Sequence, residues 1–192
     1  MKIGENINLR LFLISICVLS TIFILYLILK FASYGIDFTD EGYYLNSISN
    51  PYLYERSLSQ FGFIYHPIYN LVNENIASLR RINFIITFSL ATILNYLLIN
   101  QFHNTIKINK IIRIIISSGM AITSFTYIYI QTPSYNHLIL QALLVTCIGI
   151  LLINNKYLSK NIYAYIILGI GGWLAFMAKP SSAIGLSLVI LI

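Results

Sequence analysis

Residues 114–155, IIISSGMAITSFTYIYIQTPSYNHLILQALLVTCIGILLINN, run for 42 positions without a formal charge. How that run divides decides the fold. A helix needs about 20 residues to cross the ~30 Å hydrocarbon layer, so the run holds roughly two crossings. Near its middle lies Gln131-Thr132-Pro133-Ser134-Tyr135-Asn136-His137. Pro133 has no amide donor and breaks a helix. The reading is two antiparallel spans, 114–130 and 138–155, joined by a tight polar turn.

Working outward, residues 11–29 give 19 uncharged positions, 82–102 give 21 and 161–178 give 18. Residues 183–192 open a sixth run of ten, too short to cross. The expected fold class is an all-α polytopic membrane protein with five complete spans and a truncated sixth. The chain is expected to be the N-terminal part of a longer protein. Composition agrees: 58% of residues are hydrophobic and 9% charged, against roughly a quarter charged in soluble domains. The first run exceeds the usual 7–15-residue signal-peptide core and no small-x-small site follows it, so a retained anchor is expected. Cys17 and Cys147 fall inside spans, lack metal-ligand spacing and read as small buried apolar residues.

Charge alternates between the loops. Lys2, Arg10, Lys107, Lys110, Arg113, Lys156 and Lys160 lie on one side with a single acid, Glu5. The other side carries Asp37, Asp40, Glu41, Glu55 and Glu74, five of the six carboxylates in the chain. The positive-inside rule puts the N-terminus in the cytoplasm and the acidic loop outside. The pI near 9.3 then reports orientation, and no nucleic-acid partner is needed to explain it.

The outer loop, residues 32–75, holds ten aromatic residues, which favour the headgroup layer. Short interfacial helices are expected at 40–50, ended by Pro51, and at about 68–78, with breaks at Gly62 and Pro67. Asp37 is placed to cap the first of them, leaving Asp40 in its opening turn, where the helix dipole favours an ionised carboxylate. Asp40 and Glu41 point about 100° apart, so one can face a site while the other makes a structural contact. A plainer reading has all three acids capping and solvating a loop. His66 reads as structural or as a weak ligand candidate. Arg80, Arg81 and Lys179 either anchor at headgroups or grip a phosphate. The polar turn with Asn136 is a simple hairpin or one wall of a sugar site.

Four stretches in this order resemble the GT-C glycosyltransferases, in the branch of protein O-mannosyltransferases, aminoarabinose transferases and rhizobial lipopolysaccharide sugar transferases. They are Asp40-Glu41-Gly42-Tyr43-Tyr44, Tyr65-His66-Pro67-Ile68-Tyr69, the lead-in from Asn73 to Arg80, and Phe176-Met177-Ala178-Lys179-Pro180. Ile68 stands where the family usually has a second proline. The resemblance implies a polyprenyl-phosphate sugar as donor and an inverting transfer to a glycan, lipid or protein acceptor. It implies Asp40 as the base with Glu41 second. Substrate contacts would come from Asp37, Tyr43, His66, Arg80, Asn136 and Lys179. Some relatives use a divalent metal at the carboxylates and others do not, which leaves a metal open. The location it implies is the bacterial plasma membrane. The alternatives are a polysaccharide polymerase or flippase, a transporter, or a non-catalytic assembly subunit.

Overall fold

A computed structural model of the chain describes residues 7–35, 40–102, 109–125, 131–154 and 162–191. The described residues are helical and contain no strand. In order they form α1 (Ile7–Phe31), α2 (Asp40–Ser49), a 3-10 turn (Pro51–Tyr54), α3 (Phe61–Leu71) and α4 (Ile76–Phe102). Then follow α5 (Lys110–Ala121) with a 3-10 extension (Ile122–Phe125), α6 (Tyr135–Asn154), α7 (Ile162–Ala178) and α8 (Pro180–Leu191).

Three of these helices are long and apolar enough to cross a membrane, over Leu11–Phe31, Ile76–Gln101 and Tyr135–Ile153. The arrangement of side chains points the same way. Large apolar residues such as Phe12, Phe23, Ile85, Ile111, Ile166 and Trp173 lie exposed, while Asn83, Thr87, Ser117 and Gln141 are buried and hydrogen-bonded. A water-soluble bundle sorts the other way round. Hydrocarbon outside and hydrogen-bonded polar groups inside is what a bilayer imposes.

The expected boundaries need correction. The span expected over 114–130 is a 12-residue α-helix followed by a 3-10 turn through Phe125, with 126–130 outside the described residues. Helix α7 has 17 residues, a rise of ~25 Å, just short of the ~30 Å layer. The second span starts earlier than expected, because the Asn75 side chain caps it by accepting from Ser78 N at 2.9 Å. Arg80 and Arg81 therefore sit inside the first turns of α4. No single helix spans 68–78, since α3 ends at Leu71 and α4 begins at Ile76. Pro67 is accommodated inside α3, and the break falls at Asn73 and Glu74, whose φ values of 51° and 62° are left-handed. Gly62 also lies within α3, at a close approach to α2: a Cβ there would collide with Ser47 O.

Three packing centres hold the bundle. Tyr44, Ile48, Phe61, Tyr65, Leu79, Leu138 and Ala178 form one core that joins α2, α3, α4, α6 and α7. Ala91, Ala121 and Leu144 form a smaller one between α4, α5 and α6. The third is the α6–α7 crossing. A Cβ on Gly149 would lie 2.9 Å from Leu168 N, and one on Gly171 would sit 2.8 Å from Thr146 N. Small residues let the two backbones close up, as apolar helices in lipid require.

Candidate functional site

The opening turn of α2 carries both acids, and they divide as adjacent helical residues must. The inner face of α2 is Glu41, Tyr44, Ser47 and Ile48, all buried. Asp40 falls off that stripe and is exposed. It stands at the helix N-terminus, where unpaired backbone N–H groups favour a negative charge.

Glu41 meets Arg80 in a buried ion pair. The guanidinium is satisfied on every side. Its Nε donates to Thr132 Oγ1 at 2.9 Å, and Nη1 to the carbonyls of Ala32 at 2.9 Å and Tyr34 at 3.4 Å. Its Nη2 donates to Gly35 O at 2.9 Å and to Glu41 Oε1. A guanidinium has five N–H donors, and here five acceptors receive them. Thr132 completes the cluster, since its hydroxyl accepts from Arg80 and donates to Glu41. Gly35 contributes through its backbone: φ of +77° is a left-handed conformation that glycine adopts without strain. Arg81 Nε adds a bond to Leu29 O at 3.2 Å. Two cations thus serve the carbonyls at the C-terminal end of α1, the favourable pole for positive charge.

Arg80 therefore ties the end of α1, the start of α2, α4 and the turn before α6 into one unit. In this arrangement it has no N–H left for the phosphate contact expected from sequence. Glu41 is likewise committed to Arg80 and Thr132.

Beside Asp40, Tyr44 is buried against Phe61 and Tyr135, with ring centroids 5.8 Å away in each case. Burial, followed by the Tyr135 hydroxyl and the charge of Asp40, pushes the Tyr44 phenol well above its ordinary range. Tyr43 is 39% exposed and edge-on to Tyr54 at 5.5 Å.

His66 is part of the scaffold. Its Nδ1–H donates to Ile48 O at 2.7 Å, which leaves Nε2 to accept from Asn70 Nδ2 at 3.0 Å. Both ring nitrogens are used, so no lone pair is free for a metal or substrate. Among the described residues no three His, Cys, Asp or Glu side chains converge as a metal site. Asp37 lies outside the described residues.

Lys179 and Asn136 are both exposed. Lys179 follows α7, whose end is joined to the α2–α3 segment: Gln60 N donates to Met177 O at 2.8 Å and Ser59 Oγ to Ala178 O at 2.6 Å. Asn136 is in the first turn of α6, next to Tyr135, which meets the Tyr44 ring edge-to-face.

A second polar cluster lies deeper. Gln141 Nε2 donates to Asn83 Oδ1 at 2.8 Å and to Thr87 Oγ1 at 2.9 Å, while Tyr65 OH donates to Gln141 Oε1 at 3.0 Å. Reading the sequence did not bring these four side chains together. The available signal was the spacing of Arg80, Asn83 and Thr87, which puts three polar side chains on one helical face. Comparison with protein-family models, with curated proteins and with solved structures gives no match for this chain.

Proposed function

We propose that this chain belongs to an inverting membrane glycosyltransferase of the GT-C type that its sequence resembles. It would transfer a sugar from a polyprenyl phosphate to an acceptor hydroxyl at the outer membrane surface, with its N-terminus in the cytoplasm. The observation that carries the reading is the division of labour between two neighbouring carboxylates. Glu41 is buried and held by Arg80 and Thr132, while Asp40 is exposed at a helix N-terminus fixed by that pair.

Asp40 takes the proton of the acceptor hydroxyl as its oxygen attacks the anomeric carbon. The bond from that carbon to the phosphate oxygen breaks on the opposite side, and the lipid phosphate leaves with the bonding pair. Lys179 meets the charge that develops on the phosphate. Arg80 and Glu41 act as positioning residues. Tyr43 and Asn136, exposed beside the same core, contact sugar hydroxyls.

The test is to incubate membranes containing the protein with a panel of radiolabelled polyprenyl-phosphate sugars. One of them should be consumed only where the protein is present, giving a product of inverted anomeric configuration. No consumption across the panel, or a product of retained configuration, rules the reading out.

A further inference from the structure

Between α2 and α3 the chain makes a closed loop that exposes three large apolar side chains. Tyr52, Leu53 and Leu58 are 71%, 76% and 84% exposed, more than any large apolar residue on the spanning helices. The loop's shape is set from within. The Gln60 side-chain amide donates to the carbonyls of Ser57 at 2.5 Å and Glu55 at 2.9 Å, and Ser57 N donates to Tyr54 O at 2.9 Å. Its end is fastened to the last carbonyls of α7 through Gln60 N and Ser59 Oγ.

That attachment determines the surroundings. Ile166, Ile170, Trp173 and Phe176 are exposed along α7, and hydrocarbon covers such a face. The loop ends where this apolar band ends, beside Met177 and Ala178. Its basic residue Arg56 and the neighbouring Lys179 are both exposed, at the level where cations meet lipid phosphates. Tyrosine with leucine, flanked by Arg and Lys, is the composition that settles at a headgroup–acyl boundary.

We infer that the 51–58 loop is an interfacial anchor that inserts Leu53 and Leu58 into the lipid layer the bundle already spans. The inference rests on the membrane reading alone and is independent of sugar transfer.

Trp173 is the single tryptophan of the chain. Leu53→Trp and Leu58→Trp, each in a Trp173→Phe background, therefore report separately on the two positions. The full chain is reconstituted in nanodiscs with lipids brominated high on the acyl chain. An interfacial side chain reaches ~5–10 Å into the boundary, so both tryptophans should show blue-shifted emission quenched about twofold or more. Water-like emission without quenching at both positions overturns the proposal. Blue-shifted emission that ignores bromine but changes with the number of chains per disc means that a second copy covers the loop, and it overturns the proposal equally. If either substitution prevents assembly, Leu58→Ser with Leu53→Ser should weaken binding of the detergent-solubilised chain to added anionic vesicles. Unchanged binding then counts against the anchor.

Discussion

Arg80 and Glu41 are paired with their side chains 4% and 3% exposed, the only ion pair found among the described residues. Placing both charges out of water is costly, so the pair need not stabilise the protein relative to an apolar replacement. Removing one partner is different, since it strands the other. Glu41→Gln and Arg80→Met should each lower stability by ~3–5 kcal/mol. The double variant should lose less than the sum, because no buried charge remains. Unfolding midpoints in detergent, measured over the four-variant cycle, check this. Additive losses would mean that the two side chains do not act together.

Arg80→Lys tests the geometry at constant charge. An ammonium has three donors where the guanidinium places five, so at least two of the acceptors at Ala32, Tyr34, Gly35, Thr132 and Glu41 lose their partner. The expected result is a loss of at least ~1–3 kcal/mol together with faster amide exchange at the end of α1. Wild-type stability would show that charge alone suffices there.

The close helix crossings make a paired prediction. Gly62→Ala and Gly171→Ala push a methyl into Ser47 O and Thr146, and each should cost ~1–3 kcal/mol. Gly42→Ala and Gly172→Ala meet nothing within 4 Å and should be neutral or stabilise by up to ~1 kcal/mol. Thermal midpoints of the four variants in one lipid separate the two classes.

High pH should loosen the loop core. Burial raises the phenols of Tyr44, Tyr65 and Tyr69 above their ordinary value of 10.0. A raised pKa means that the folded chain holds the proton more tightly than the unfolded one. The resulting stability is complete below pH ~10 and is lost as pH rises beyond it. Phenolate absorbance should show these tyrosines titrating late, together with loss of helix packing. Early titration of all tyrosines in the intact fold would contradict the burial.

The sequence carried the class of fold because hydrocarbon thickness sets a length that uncharged runs reveal directly, as at 11–29. It also carried the helix at Asp40–Ser49, since Pro51 stops it and the paired acids open it. Pro67 misled, because one missing N–H is tolerated where Tyr65 and His66 anchor the same helix to Gln141 and Ile48. The role of Arg80 was not legible. Three of its five acceptors are backbone carbonyls 45 to 48 residues away, and carbonyls have no sequence signature. The Tyr65–Gln141 bond joins two side chains 76 residues apart, and neither residue's local sequence announces the other.

The most direct test of the central claim is the rate of sugar transfer from the polyprenyl-phosphate donor in Asp40→Asn, compared with wild type and with Glu55→Gln, an exposed acid of the same segment. The expected result is a loss of about 10²- to 10⁴-fold for Asp40→Asn at an unchanged unfolding midpoint, with Glu55→Gln fully active. Transfer at the wild-type rate in Asp40→Asn would contradict it.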